Sequence, residues 1–329
     1  MLITDVSELS GLLACPACGT PFAPWQAGTP LTCTAEACAH ARVPFDQVAG
    51  QDVLIDFKDS VLDRDAMLAT GGASVHKRDR WRWWLVRITE GINPIARHFA
   101  RTVIDELERS PRQRPLVLVI GGGAIGSRAE PLYESAKVGV VGFDIYASPN
   151  ISFLADAHRI PLADASVDAV WIQAVLELTV DPIQVVREIR RVLRPGGLVF
   201  ATTAYLWPVC EGAYDYSRWT PSGLRWMFRD FHVNALGSAS GLGTGVLLSV
   251  RALVSSLLRS TKAGQIVTFP LFWLRFLDRF TGTRKALDAA PALFFYGTLA
   301  DQPIGVDELV RFYDDQPLLE REGRRVRES

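Results

Sequence analysis

The sequence lacks the features that mark secreted and membrane-spanning chains. Residues 1–8 contain two acids and no basic residue ahead of a short apolar patch, so we expect no secretory signal. The apolar stretches within residues 241–290 fall short of the roughly 18 uncharged residues that a bilayer span requires. We therefore expect a cytoplasmic protein, in which disulfides are a poor explanation of a cysteine pattern.

The sequence also lacks an excess of charge. Its 329 residues include 35 Lys and Arg against 36 Asp and Glu, a formal net charge of −1. This balance gives no overall signature of nucleic-acid binding, and we expect no nucleic acid as a partner. Internal repeats and low-complexity tracts are missing as well. A hydrophobic content of 48% is enough for one full-sized domain and a small one.

Cysteine is scarce and unevenly placed. Four of the five cysteines fall within residues 1–40, as the pair Cys15 and Cys18 and the later pair Cys33 and Cys38. Two thiol pairs at this separation predict a tetrahedral zinc ion, which is structural because four protein ligands leave no open position. His40 can replace one member of the wider second pair. A ribbon without metal and a disulfide or redox use are the alternatives.

Glycine is concentrated after one apolar run. Residues 116–120 are apolar at every position, as in a parallel strand that is buried on both faces, and Gly121, Gly123 and Gly126 follow. Glycines let the backbone turn sharply and approach a ligand closely, which predicts a phosphate- or nucleoside-sized ligand at the end of this strand. The same spacing satisfies the dinucleotide fingerprint, so a nicotinamide-dependent oxidoreductase is one alternative.

Strand-like and helix-like segments alternate after this loop. Asp144 ends the second strand, close to the position about 20 residues beyond such a loop where a carboxylate can accept both ribose hydroxyls of an adenosine. Asp181 and Pro182 start an amphipathic helix, with Asp as its cap. Further strands are predicted at 138–143, 151–155, 166–172 and 198–201. The alternation predicts an α/β fold with a doubly wound, mostly parallel sheet.

Over roughly residues 93–240, the chain resembles the class I S-adenosylmethionine-dependent methyltransferases. The resemblance rests on the ordered set of residues 156–170, Leu176–Glu177 and residues 191–198, in addition to the glycine loop. It implies a Rossmann-like fold and methyl transfer from S-adenosylmethionine. The cofactor-binding residues that it implies are Gly121, Gly123 and Gly126 along the cofactor backbone, Asp144 at the ribose, Asp156 and Ala157 at the adenine edge, and Gln173 near the transferred methyl.

Three positions depart from the family pattern. Val119 stands where relatives usually carry an acid, and Leu178 stands where a His commonly follows Leu-Glu. Relatives often place a His near the position of Cys210. These departures support a second alternative, a cofactor-binding membrane or scaffold protein without catalysis.

The cysteine-rich start resembles the small zinc-ribbon modules that are fused to, or partnered with, bacterial methyltransferases. We assign residues 1–57 to this module, with its last strand at 53–57, and residues 58–92 to a charged helical connector. The domain then covers residues 93–300, and a tail covers 301–329. The connector carries an apolar stripe among basic residues, at Trp81, Trp84, Leu85 and Ile88. We interpret this stripe as the face of a helix that packs on the sheet, and nucleic-acid contact is the alternative.

A polar and aromatic loop follows the fifth predicted strand. It contains Tyr214, Asp215 and Arg218, and Thr220 then caps a helix. Loops at the carboxyl ends of the strands hold ligands in this fold, so we predict these three residues on the acceptor side of the site, with Asp215 as the first choice for a base. Related methyltransferases carry a similar Asp-Tyr-x-Arg-x-Thr element. The alternative is a loop pinned structurally by an Asp215–Arg218 contact.

Residues 241–290 differ from the rest in charge and pattern. Seven basic residues against two acids give this stretch +5, which leaves −6 elsewhere. Two apolar stripes of helical period predict amphipathic helices, inserted before a final strand at 292–297. A cationic amphipathic pair fits an anionic surface at the inner membrane face, and a lid or dimer surface is the alternative. The acceptor is then a small molecule, a sugar or a lipid-linked hydroxyl.

Overall fold

A computed structural model describes residues 1–24, 29–58, 60–73, 94–280 and 284–315. Its strands form one sheet in the order β1-β2-β5-β4-β3-β6-β7-β9-β8. The strands are β1 Gln47–Val48, β2 Gln51–Leu54, β3 Leu116–Ile120, β4 Gly139–Asp144, β5 Phe153–Ala155, β6 Val167–Gln173, β7 Leu193–Ala204, β8 Phe231–Ser240 and β9 Ala292–Leu299. Neighbouring strands are parallel from β2 through β7, and β9 runs antiparallel between β7 and β8. The predicted mostly parallel α/β sheet is confirmed.

Helices cover both faces of this sheet. The α-helices are α1 Arg64–Ala69, α2 Pro94–Glu108, α3 Glu130–Glu134, α4 Pro182–Val192, α5 Pro221–Met227, α6 Leu242–Leu257, α7 Thr261–Thr268, α8 Arg284–Asp288 and α9 Val306–Asp315. Successive residues of β3 enter two different cores, because Leu118 packs in one hydrophobic cluster and Val117 and Val119 pack in another. A strand buried on both faces explains the continuous apolar run.

The start of α4 shows how local sequence sets an element. Asp181 accepts a hydrogen bond from the Gln184 backbone N–H, and Pro182 occupies the first turn, where a missing N–H costs nothing. The apolar stripe of the helix is buried against the sheet, with Val185 and Ile189 fully enclosed.

The segment that we predicted as the last strand of the cysteine-rich module belongs to the main sheet. The strand β2 covers Gln51–Leu54 rather than residues 53–57, and its Val53 lies opposite Leu154 of β5 in a parallel pair. The N-terminus is attached as well, because the Ile3 N–H donates to the Val140 carbonyl at 2.8 Å. The cysteine-rich segment therefore shares the core of the sheet, as Leu13 and Phe22 pack in the same cluster as Leu118.

Helices lie between β8 and β9, where two amphipathic helices were predicted, with one difference. α6 and α7 are α-helices, whereas Phe269–Arg279 forms a 3₁₀ helix with Pro270 in its first turn. No helix among the described residues combines the length and hydropathy needed to cross a bilayer. The connector stripe at Trp81, Trp84, Leu85 and Ile88 and the tail beyond residue 315 lie outside the described residues.

Candidate functional site

One cavity of about 1180 Å³ opens at the carboxyl ends of the central strands. Its wall includes the ends of β3, β4, β5, β6 and β7, part of α1, and the loop that carries Tyr214. Single small-molecule sites usually measure roughly 300–1,000 Å³. This cavity therefore has room for a cofactor and a second ligand side by side.

The glycine loop brings the backbone directly against the polar wall. Gly121 has a φ of +77°, which disfavours other residues, and a side chain there would overlap Val175. A Cβ on Gly123 would lie 2.7 Å from Asp144 Oδ2, and one on Gly126 would overlap the amide of Gln173. A side chain at any of these positions would therefore displace a neighbouring side chain of the cavity wall.

Asp144 sits at the end of β4, as the sequence predicted. Its Oδ2 accepts the Gly123 N–H at 2.8 Å, and its Oδ1 accepts the Ile145 N–H at 2.7 Å. These two backbone donors fix the orientation of the carboxylate at the cavity wall. The geometry fits the ribose role that the resemblance implies.

Asp156 forms a polar chain at the next strand end, beside the lining residue Ala157. Its Oδ1 lies 2.6 Å from His158 Nδ1, and its Oδ2 accepts from the Ser60 hydroxyl at 2.5 Å. His158 Nε2 accepts the Asp181 N–H at 3.2 Å, so Nδ1 carries the proton. Burial raises the pKa of Asp156, but the bonds from His158 and Ser60 outweigh it and lower the pKa. Sequence analysis found Asp156 and missed Ser60 and His158.

Gln173 ends β6 and lines the cavity. Its Nε2 donates to the Ser127 carbonyl at 3.2 Å, and its Oε1 accepts from Trp171 Nε1 at 3.3 Å. The side chain is therefore fixed against the glycine loop, on the wall that the sequence predicted.

The predicted base, Asp215, is enclosed by its neighbours. Both of its oxygens accept from the guanidinium of Arg218, Oδ2 also accepts the Cys210 N–H at 3.0 Å, and the side chain is 0% exposed. The hydrogen bond from Arg218 lowers the pKa of Asp215. Tyr214 lines the cavity, whereas Asp215 and Arg218 are not among its lining residues. This arrangement favours the structural alternative for the pair.

Glu177 contributes a carboxyl group to the cavity wall, as Glu211 and Asp278 also do. Glu177 is buried, and its Oε2 accepts from the Thr203 hydroxyl at 3.1 Å. Burial raises the pKa of this carboxyl group. Its backbone carbonyl accepts the Tyr216 N–H at 2.8 Å, which ties the aromatic loop to the site. The Leu176–Glu177 motif was the available signal, but residue type alone does not reveal burial.

The three departures from the family pattern all lie on the cavity wall. Val119, Leu178 and Cys210 are lining residues. Burial, followed by the charge of Asp215, raises the pKa of Cys210 to about 12, so its thiol stays protonated. The wall at these positions is neutral, where the resemblance implies ionisable groups.

The four N-terminal cysteines meet at one point. Their sulfurs all lie within 4.8 Å of one another, with 3.8 Å between Cys15 and Cys38 and 3.4 Å between Cys18 and Cys33. Zn–S bonds of about 2.3 Å in a tetrahedron place the sulfurs about 3.8 Å apart. A disulfide needs about 2.05 Å. His40 instead stacks on Phe45 at 4.2 Å. The cluster therefore fits a zinc ion.

The sheet and the cavity at its carboxyl edge are those that the resemblance to class I S-adenosylmethionine-dependent methyltransferases implies. Residues 120–201 match the family model described as a methyltransferase domain. The matched segment runs from the glycine loop to β7, so the resemblance seen in the sequence is confirmed.

Similarity to individual proteins covers part of the chain. The chain is 33% identical over 116 residues to an uncharacterized 37.1 kDa protein in transposon TN4556 of Streptomyces fradiae, across 31% of this chain and 33% of that protein. It is 35% identical over 111 residues to the demethylmenaquinone methyltransferase of Renibacterium salmoninarum, across 31% of this chain and 45% of that enzyme. The chain thus spans less than half the length of these relatives.

Solved structures resemble the chain at low identity. A chain in the complex between the Haloferax volcanii Trm112 methyltransferase activator and a methyltransferase is 21% identical, with a TM-score of 0.40 over 68% of this chain and 100% of that one. Phosphoethanolamine N-methyltransferase 2 of Haemonchus contortus is 16% identical, with a TM-score of 0.41 over 67% and 57%. Similarity at this level says nothing about the acceptor.

Proposed function

We propose that the protein transfers a methyl group from S-adenosylmethionine to an acceptor held in the same cavity. The observation that carries this proposal is Asp144, oriented by Gly123 at the end of β4 and facing the glycine loop. The match over residues 120–201 favours methyl transfer over the nicotinamide alternative. When bound, the cofactor supplies an electrophilic methyl group on its sulfonium centre. The protein's own contribution is mainly to position both reactants.

In this proposal, each part of the cofactor is contacted by a residue already described. Asp144 would accept the ribose hydroxyls, and Asp156 with the Ala157 backbone would meet the adenine edge. Gln173 would border the methyl group, which leaves the volume beyond β6 for the acceptor. This division uses the predicted cofactor-binding residues without change.

On the acceptor side, we propose Glu177 in place of Asp215 as the proton acceptor. A hydroxyl that attacks the methyl carbon must lose its proton as the bond between carbon and sulfur breaks. Among the lining residues that the structure describes, the one histidine is His158, at the adenine side. Glu177 combines a buried carboxyl group, a raised pKa and a place on the wall, which suits a base near neutral pH.

For the acceptor, we propose a small molecule with an apolar body and a reactive hydroxyl, either quinone-like or lipid-linked. Trp207, Tyr214, Tyr216 and Phe276 give this half of the cavity an aromatic wall. Two relatives are demethylmenaquinone methyltransferases, which supports a quinone-like ring within this class.

A second candidate is a protein that binds the cofactor without turnover. The neutral residues Val119, Leu178 and Cys210 on the wall favour it. Two measurements separate the candidates. Thermal stabilisation by S-adenosylhomocysteine and not by NAD supports the methyltransferase site, and methyl turnover with a hydroxylated quinone then excludes the non-catalytic protein.

Replacing Asp144 with Ala is expected to weaken S-adenosylhomocysteine binding at least about tenfold. Two charge-assisted hydrogen bonds of roughly 1.5–3 kcal/mol each would be lost. Isothermal calorimetry measures the change. Asp164→Ala is the matched control, because that side chain is 79% exposed and pairs with Arg191 at the surface. An unchanged dissociation constant in a folded Asp144→Ala protein would remove the ribose assignment.

We also propose that Cys15, Cys18, Cys33 and Cys38 hold one structural zinc ion. The fit of their four sulfurs to tetrahedral spacing supports this ligand set. The ion would fix a segment that shares its core with the sheet.

A further inference from the structure

Three helices of the insertion, α6, α7 and the 3₁₀ helix, pack against one another through small and polar residues. Gly243 of α6 meets the Leu274 carbonyl, and a Cβ on Gly264 of α7 would lie 2.8 Å from Ser255 Cβ. Asp278 of the 3₁₀ helix accepts the Thr244 N–H at 3.1 Å and the Thr244 hydroxyl at 2.6 Å. These contacts hold the three helices closely together. The exposure of other side chains on these helices is therefore not a result of loose packing.

Their outer side is apolar, which reverses the usual order of a surface helix. Leu257, Ile266 and Phe280 are 74%, 73% and 78% exposed. We define the apolar face as the exposed residues Val246, Leu253, Leu257, Leu258, Ile266, Val267, Phe269, Trp273, Phe276, Leu277 and Phe280. Soluble monomers rarely expose so many large apolar side chains together, and such patches mark an interaction surface.

The exposed charges within residues 241–280 are of one sign. Residues 241–280 contain five basic residues and a single acid, Asp278, which is buried against Thr244. Arg259, Lys262 and Arg279 are exposed. Large apolar side chains with cations and no exposed acid match an anionic bilayer surface, into which Trp, Phe and Leu insert while Lys and Arg meet the headgroups. A second copy of the same face would bring like charges together, which is unfavourable.

We propose that the apolar face docks on an anionic lipid bilayer and that the methyl acceptor enters the cavity from that bilayer. Phe276 supports entry of the acceptor from the bilayer, because it is exposed on the apolar face and also lines the cavity. Arg275 and Thr244 line the cavity as well. The wall of the cavity therefore adjoins the docking surface. The acceptor class is then an amphiphile, with its hydroxyl in the cavity and its apolar tail in the lipid. This half rests on the proposed methyl transfer.

Vesicle flotation of the full chain tests the docking. We expect recovery with phosphatidylcholine vesicles that contain phosphatidylglycerol, little recovery with phosphatidylcholine alone, and weakening by salt, since each basic residue near the surface contributes on the order of a few-fold in binding. Leu257→Glu with Trp273→Glu is expected to lower the partition coefficient at least about tenfold. Neither residue lines the cavity. Val310→Glu on α9 is the matched control, because Val310 is 69% exposed and is not one of the residues that define the face.

A second pair of variants isolates the charge. Arg259→Gln with Lys262→Gln should remove most of the preference for anionic vesicles while the apolar insertion remains. Equal recovery with neutral and anionic vesicles, recovery with neither, or recovery that Leu257→Glu with Trp273→Glu leaves unchanged would overturn the docking proposal. If those substitutions instead dissociate a dimer in sedimentation velocity, the face is an interface between copies.

The entry route has its own readout. With a long-tailed quinol in anionic vesicles, the Leu257→Glu and Trp273→Glu protein should transfer methyl groups about tenfold more slowly, and with a tail-less quinol it should match the unsubstituted protein. Equal rates in both assays would reject entry from the bilayer. Failure of the methyltransferase proposal is distinguished from failure of the docking proposal by cofactor binding. If methyl transfer is wrong, S-adenosylhomocysteine would neither bind nor stabilise the protein, whatever the vesicle result.

Discussion

Replacing Glu177 with Gln is expected to lower kcat for a hydroxyl acceptor by about a hundredfold or more, because a positioned base contributes typically 10²–10⁴. Burial raises the pKa of this carboxyl group, and only its ionised form accepts a proton. The rate of the unsubstituted enzyme should therefore rise with pH through that raised pKa and level off above it. Glu177→Gln puts an amide that does not titrate in its place, so the rise should vanish. A pH profile of kcat measures both effects.

Binding and stability separate this catalytic role from a structural one. Gln keeps the shape of the side chain and an oxygen for the Thr203 hydroxyl, so S-adenosylhomocysteine affinity should not change. A carboxyl group whose pKa is raised by folding stabilises the protein below its unfolded pKa and loses that contribution as pH rises through the folded value. The variant should thus be at least as stable as the parent at neutral pH.

Asp215→Asn is the comparison that distinguishes the two carboxyl groups. It breaks the paired contact with Arg218 and leaves the cavity wall unchanged, so the melting temperature should fall while the pH dependence persists. If Asp215→Asn removed the pH dependence at an unchanged melting temperature, and Glu177→Gln did not, the base would be Asp215 as the sequence predicted.

Loss of the proposed zinc ion is expected to destabilise the protein by at least about 4 kcal/mol, or about 10 °C in melting temperature. Cys15→Ser should produce this loss, because Cys15 is buried among the four sulfurs. Cys210→Ser is the control, since Cys210 lies outside the cluster. Metal analysis should find one equivalent of zinc in the parent and the control.

The effect should extend to the cofactor site. The cysteine-rich segment continues into β2 and then into Ser60, whose hydroxyl donates to Asp156. Chelation should therefore weaken S-adenosylhomocysteine binding as well as stability. Less than a tenth of an equivalent of metal in protein purified without chelator, or a Cys15→Ser protein that melts like the parent, would contradict the zinc proposal.

Local patterns predicted the centre of this fold better than its edges. The strand before Gly121 and the acid at Asp144 follow from chain-local rules, because a buried parallel strand and its terminal turn leave a readable pattern. The pairing of β2 with β5 was not predicted, since hydrogen bonding between distant segments leaves no local pattern.

The site divides in the same way. The spacing of the cysteines predicted their cluster, and the resemblance to the methyltransferases implied Asp156 and Gln173. Only the packed structure shows that Arg218 encloses Asp215 and that Glu177 is buried on the cavity wall. Helical periodicity likewise predicted the apolar stripes near Trp273 but not that they face outward. The periodicity shows which residues share one face of a helix, and it does not show what that face packs against.

The pairing of Val53 with Leu154 also bears on how the chain folds as it is made. A long stretch of chain separates these partners, and the N-terminal segment leaves the ribosome first. Until β5 has been synthesised, the backbone N–H and C=O groups on one edge of β2 therefore lack their partner strand. Unpaired strand edges of this kind favour aggregation of a nascent chain. A metal-bound cysteine cluster would be complete once Cys38 has emerged. It would thus give the early segment a folded shape during that interval.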